Sequence, residues 1–165
     1  MSTKKMQKKA EKLLTSYRKK KLKLVTAESC TGGMLATTLT GVPGASDVFE
    51  RGFVTYSDAS KADLLGVPTT TIARHGSVSA EVAEAMARGA LDHANADLAI
   101  AITGVAGPGG GTKKKPVGLV YLAVASRHYK DAVVEKRTFK GKRDAVRSRS
   151  VDRSLTILKK LQAFF

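Results

Sequence analysis

Apolar positions fall into two periods along this chain. Met6, Leu13, Leu14 and Tyr17 recur at helical spacing among lysines, which predicts an amphipathic helix over residues 3–20. Leu22–Val25 is a short apolar run and reads as a strand, followed by a helical segment from Gly33 to Leu39 that Gly41-Val42-Pro43-Gly44 breaks. Phe53–Tyr56 reads as a second strand. Asp58 is placed to cap a helix that runs to Leu65, where Gly66 and Pro68 stop it. A one-turn segment ends near Gly76, and Ser79, followed by Glu81, starts a strong helix to about His93.

The second half is richer in strands. Asp97–Thr103 is almost continuously apolar, the mark of a strand covered on both faces. Gly104 to Pro116 is a loop with five glycines and two prolines. Gly118–Ser126 is another buried strand, Ala132–Phe139 alternates like an edge strand, and Arg143–Phe164 is a final helix with Val146, Val151, Leu155, Leu158 and Leu161 on one side. Strands alternating with helices predict an α/β protein: a three-layer α/β/α sandwich around a mixed, mostly parallel five-stranded sheet. Neither an internal repeat nor a linker divides residues 1–165, so a single domain is expected, with the basic helix over residues 1–20 flanking it.

Composition narrows the function classes. No apolar run reaches the roughly 18 residues of a membrane span, and the basic N-terminus lacks the apolar core of a signal peptide. The single Cys30 excludes an intrachain disulfide framework and suits a reducing, cytoplasmic setting. One cysteine and three histidines make a structural zinc site a poor expectation, and no metal or organic cofactor is expected. The net charge is +15. Its surplus lies in residues 1–23, where Glu11 is the one acid, and in residues 136–160. Such ends either form solvated helix faces or attract polyanions and phosphorylated ligands.

In open α/β sheets ligands bind beyond the carboxyl ends of the parallel strands. Three such ends carry chemistry here: Thr26–Gly33, Tyr56–Lys61 and Thr103–Gly111. Ser29, at a strand-to-helix turn, is either a nucleophile served by a base and by amide N–H groups, or an N-cap for the helix near Gly32. Cys30 is the rival nucleophile, or a small packed residue under the turn. His75, His93 and His128 are poorly placed to act as a base. Lys61 is better placed, provided its environment lowers its pKa; otherwise it is a solvated helix lysine. Tyr56 is near enough to relay a proton or hold that lysine. The loop from Gly104 to Gly111 matches neither a Walker A loop nor G-x-G-x-x-G, and either cradles an anion or is a flexible crossover. Tyr56 and Lys61 miss the Tyr-x-x-x-Lys spacing by one residue. Ser16–Lys19 fits Ser-x-x-Lys only on the exposed basic helix.

Taken together, TAESCTGGMLATTLTGVPGAS, FERGFVTYSDASKADLLGV, HGSVSAEVAEAMARGA, AITGVAGPGGGTKKKPVGLVYLAVA and GKRDAVR resemble the CinA C-terminal domain family. The resemblance implies hydrolysis of the carboxamide of nicotinamide mononucleotide to nicotinate mononucleotide and ammonia, in pyridine-nucleotide salvage. It implies a Ser29, Lys61 and Tyr56 catalytic set, and oxyanion contacts from the backbone near Gly44 and Cys30. It also implies substrate contacts from Thr103, Gly104 and Arg143, with Arg147 competing for Arg143's role on the phosphate. A homo-oligomer is usual in the family. Longer members carry an N-terminal domain that resembles molybdopterin-binding proteins. This sequence shows none, so the amidase is expected to be the whole protein, without pyrophosphatase activity. The rival expectations are a basic, competence-associated nucleic-acid-binding module with a vestigial pocket, and an amidase acting on another nucleotide-like amide.

Overall fold

The structure is a computed structural model and describes residues 4–164; residue 3, where the sequence pattern starts the first helix, lies outside them. The elements run α1 (Lys4–Lys19), β1 (Leu24–Glu28), α2 (Met34–Thr40), β2 (Phe49–Val54), α3 (Asp58–Leu65), α4 (Thr69–His75), α5 (Ala80–Asp92), β3 (Leu98–Gly104), β4 (Leu119–Ser126), β5 (Val133–Thr138) and α6 (Arg143–Leu161). Short 3-10 turns span Ala45–Asp47 and Gln162–Phe164. Among the described residues no helix is long and apolar enough to cross a membrane.

The five strands are ordered β2-β1-β3-β4-β5. β1 pairs in parallel with β2 and β3, while β4 runs antiparallel to both β3 and β5, so four of the five strands point the same way. Side-chain alternation splits the core into two layers. Leu24, Leu98, Ile100, Ile102, Leu122 and Val124 face α1, α2 and α6. Val25, Ala27, Ala99, Ala101, Ala123 and Ala125 face α3, α4 and α5. The alanine-rich face lets α5 lie close to the sheet. Its Gly89 is demanded by α3, because a Cβ there would come within 1.8 Å of the Leu65 carbonyl oxygen.

The three-layer α/β/α expectation therefore holds, and the differences from it are local. β2 begins four residues before the predicted Phe53, because Glu50, Arg51 and Gly52 lie on an edge strand where polar side chains remain in water. β1 extends to Glu28, with every residue buried, since the Glu28 carboxylate finds partners inside the protein. The segment before Gly76 is a seven-residue helix rather than one turn.

This topology opens a crevice. The chain leaves the end of β1 toward α2 and β2, and leaves β3 in the opposite direction toward β4, so a cleft forms between the two carboxyl ends.

Candidate active site

The turn after β1 is held from several directions. The Ser29 amide donates to the Ile102 carbonyl (2.9 Å), carrying the β1–β3 ladder one residue past the strand, and Gly32 N–H then closes back on the Ser29 carbonyl (3.0 Å). Gly32 and Gly33 both take positive φ, +56° and +86°, a conformation that side-chain-bearing residues rarely adopt. Gly33 is the N-cap of α2 and offers no side chain to it. Glu28 supplies what is missing. Its two carboxylate oxygens accept the Leu35 and Ala36 amides (3.0 and 2.8 Å), placing a buried negative charge at the helix N-terminus. Ser29 is thus not the cap of this helix, and its hydroxyl is left for other work.

That hydroxyl meets Lys61. Ser57 and Ser60 start α3 with a reciprocal capping box, and Lys61 falls on the buried face together with Leu65. Lys61 is 1% exposed. Its Nζ lies 3.3 Å from Ser29 Oγ, 3.0 Å from the Thr55 carbonyl oxygen and 3.4 Å from that of Ser57. Burial pushes the Lys61 pKa below its ordinary value, against the opposing influence of the Asp58 carboxylate and of Cys30. Lys61 is therefore not a solvated helix lysine.

Ser29, Cys30, Tyr56, Lys61, Thr103, Gly104 and Arg143 all line one cavity of about 290 Å3, along with Asp58, Ser77, Val78 and, from the glycine-rich loop, Val105, Ala106, Gly107, Gly109 and Gly110. The phenol of Tyr56 is exposed, and its oxygen accepts from Arg143 Nη2 at 2.8 Å. Arg143, the first residue of α6, also donates through Nη1 to the Gly107 carbonyl (2.8 Å), which draws the glycine-rich loop toward the cavity. A larger hollow of about 380 Å3, walled mostly by apolar side chains that include Val124, Val133 and Leu161, lies away from this constellation.

Two expected site residues, Gly44 and Arg147, lie off the cavity, and two that line it, Thr103 and Gly104, also have structural ties. Gly44 does not reach the cavity. It precedes the 3-10 turn that leads into the start of β2, at the opposite end of the sheet from Ser29, and Arg18 Nη2 occupies its carbonyl. Arg147 does not line the cavity either. Its Nη2 donates to the Thr31 carbonyl (2.9 Å), so it braces the turn after β1. Thr103 spends its hydroxyl on the Ser77 carbonyl (2.7 Å). Gly104 is required by its neighbours in the sheet, since a Cβ there would fall within 2.7 Å of Val120 Cγ2.

Cys30 is buried, and desolvation raises its thiol to about 11, with Glu28 adding to the effect and Arg147 and Arg143 opposing it. That environment stabilises the thiol, not the thiolate. None of the three histidines lines the cavity. Lys115 is engaged by the His75 carbonyl. Among the described residues no cluster of His, Cys, Asp and Glu can hold a metal.

Sequence reasoning missed Glu28 and Ser77 and gave Asp58 only a capping role, which Ser57 fills. An acid at the last position of an apolar strand was the available signal for Glu28. No pattern links Ser77 to Asp58 or Thr103 before the chain is folded.

Comparison with known proteins gives the family and supports the fold. A "Putative competence-damage inducible protein" of Caldicellulosiruptor bescii is 47% identical over 141 residues, 86% of this chain, which spans only 34% of that relative's length. The "Nicotinamide-nucleotide amidohydrolase PncC" of Escherichia coli K12 is 47% identical over 135 residues, covering 82% of this chain and 81% of the relative. The crystal structure of the competence/damage inducible protein CihA from Agrobacterium tumefaciens superposes with a TM-score of 0.94 at 41% identity, covering 98% of both chains. The model of the CinA C-terminal domain matches residues 6–162, and the chain belongs to that family.

Proposed function

We propose that the chain is a serine amidase that hydrolyses the carboxamide of nicotinamide mononucleotide, with Lys61 as base. The contact between Lys61 Nζ and Ser29 Oγ inside the cavity carries this reading. The similarity to the Escherichia coli amidohydrolase supports the substrate class.

Neutral Lys61 takes the Ser29 hydroxyl proton as Oγ attacks the carboxamide carbon. The backbone N–H of Cys30, one residue beyond the nucleophile, faces the developing oxyanion. As the C–N bond breaks, the proton on Lys61 passes to the departing nitrogen, and ammonia leaves. Water then attacks the acyl-enzyme, giving its proton to Lys61, and Ser29 is released. Tyr56 donates to the departing amine or orders the ring beside it, held by Arg143, and Arg143 binds the substrate phosphate. The enzyme works as a cytoplasmic homo-oligomer in pyridine-nucleotide salvage and uses no cofactor.

An ammonia-release assay across pyridine nucleotides and nucleosides tests this, with Ser29→Ala as control. A loss of roughly 10³-fold or more is expected of that variant. Full activity in Ser29→Ala, with Cys30→Ala inactive, moves the nucleophile to Cys30.

A separate reading concerns α1, whose exposed face carries Lys4, Lys5, Lys8, Lys12 and Lys19. This face binds polyanions non-specifically. DNA affinity that falls steeply with salt supports it, and salt-independent binding or none removes it.

A further inference from the structure

Two unlike charges face the same cavity without cancelling. Asp58, the first residue of α3, and Arg143, the first of α6, both line it. Among the described residues neither forms an ion pair within 4.0 Å. Each is oriented by neutral partners instead. Arg143 rests on the Gly107 carbonyl and the Tyr56 phenol, and Asp58 Oδ1 accepts from Ser77 Oγ.

The hold on Asp58 is built from three elements. Ser77, between α4 and α5, is itself anchored by Thr103 Oγ1 from the end of β3. Helix capping does not explain this chain of contacts, because Ser57 already caps α3 and accepts the Ser60 amide. Asp58 stands three residues before Lys61, so both share one side of the helix, the carboxylate exposed and the amine buried. A ligand reaching Ser29 and Lys61 therefore passes a fixed negative charge, while Arg143 offers a positive one.

We infer that Asp58 is a specificity residue whose carboxylate faces the positive charge of an N-substituted pyridinium ring, while Arg143 takes the anionic end of the same ligand. The inference rests on the amidase reading and narrows it: the preferred substrate carries both charges, and the cationic ring is recognised as a cation. A neutral aromatic amide with the same phosphate satisfies Arg143 and leaves Asp58 without a charged partner.

The test compares kcat/KM for nicotinamide mononucleotide and for its 1,4-dihydro form, which keeps the carboxamide and the ribose phosphate but has lost the ring charge. Both are measured in wild type, Asp58→Asn and Asp58→Glu. The ratio of the two substrates, compared between proteins, removes their intrinsic difference in reactivity and any common effect on Lys61. The preference for the cation is expected to fall about tenfold in Asp58→Asn, the size of a partly screened charge pair, and to survive in Asp58→Glu. An unchanged ratio in Asp58→Asn overturns the inference. If wild type releases ammonia from neither form, the amidase reading falls. The calorimetric affinities of the two forms for Ser29→Ala, with and without Asp58→Asn, then decide the charge question alone. Tighter binding of the cation that Asp58→Asn abolishes supports the inference, and equal affinities overturn it.

Discussion

The Nζ of Lys61 lies 3.3 Å from the Oγ of Ser29, and its other two polar neighbours are the carbonyl oxygens of Thr55 and Ser57. A neutral amine has two N–H bonds and one lone pair. In that form the two carbonyls can accept the N–H bonds, and the lone pair is left to receive the Ser29 hydroxyl proton. An ammonium has no lone pair and turns Ser29 into an acceptor, which would leave the proposed nucleophile without a base. Three oxygens around Nζ satisfy an ammonium as well as a neutral amine, so it is burial that shifts Lys61 toward the neutral form.

A pH profile follows from this. Amidase activity is expected to rise with pH as Lys61 loses its proton, with the midpoint of kcat/KM below the ordinary lysine value of about 10.4. Lys61→Arg, which keeps the charge and cannot give up its proton, is expected to lose about 10³-fold or more, as is Lys61→Ala. A midpoint that stays put in Lys61→Arg assigns the titration to another group.

The same burial predicts a stability effect of defined sign. The folded chain holds Lys61 with a lowered pKa, while the unfolded chain restores it. Between those two values the unfolded state binds more protons, so stability climbs with pH. Each tenfold difference in proton affinity between the two states is worth about 1.4 kcal/mol. Urea unfolding at pH 7 and pH 9.5 is expected to show a larger gain for wild type than for Lys61→Met. Equal gains in the two proteins contradict a charge-disfavouring site.

Cys30 gives the opposite case. With its thiol raised to about 11, roughly one molecule in a thousand carries a thiolate at pH 8. Native protein is expected to resist alkylating reagents at that pH and to react promptly once unfolded. Cys30→Ala is expected to stay within a few-fold of wild-type turnover. Fast modification of the folded chain with loss of activity reverses the assignment of roles inside the turn.

The layers of this fold were legible because burial leaves a period. The continuous apolar run over Asp97–Thr103 became the central strand β3, and the alternation over Ala132–Phe139 became the edge strand β5. Edge strand β2 was misplaced because its polar residues Glu50 and Arg51 hide that period. At the site, Ser29, Lys61, Tyr56 and Arg143 were found from strand ends together with family likeness, and the structure gathers them around one cavity. Whether Lys61 is solvated stayed open in the sequence, because helix position alone does not reveal that Nζ reaches two carbonyls. That Gly44 and Arg147 lie off this cavity is not legible in the sequence, because proximity along the chain says nothing about which end of the sheet a loop occupies, or which face of a turn an arginine reaches.

Glu28 is expected to matter more than its silence in the sequence suggests. Glu28→Gln replaces one accepting oxygen by an N–H2 group, which faces an amide N–H of α2 across a buried gap. The cost is about 2–4 kcal/mol of folding stability, readable by urea unfolding, because a charged bond is lost and a donor is stranded. Glu28→Ala, which removes both acceptors, is expected to be worse. A loss below 0.5 kcal/mol in Glu28→Gln shows that Gly33 and solvent cap the helix unaided.

Arg143 and Arg147 sit one helical turn apart on α6 and are expected to fail in different ways. Arg143 opens onto the cavity, and in the proposed mechanism its charge meets an anionic substrate group, so Arg143→Ala is expected to raise KM for a phosphorylated substrate by about 10²-fold, the worth of a charge-assisted pair. The same change is felt far less on the unphosphorylated nucleoside, which has nothing for the guanidinium to hold. Arg147 touches no part of the cavity but fixes the Thr31 carbonyl, two residues past the nucleophile. Arg147→Ala frees that turn, so kcat falls while KM changes little, and nucleotide and nucleoside suffer alike. Lysine at 147 restores part of the loss if the bond to Thr31 is what counts, since an ammonium can also donate to one carbonyl. A KM effect confined to the nucleotide in Arg147→Ala returns the phosphate contact to Arg147 and requires the turn to open when substrate binds.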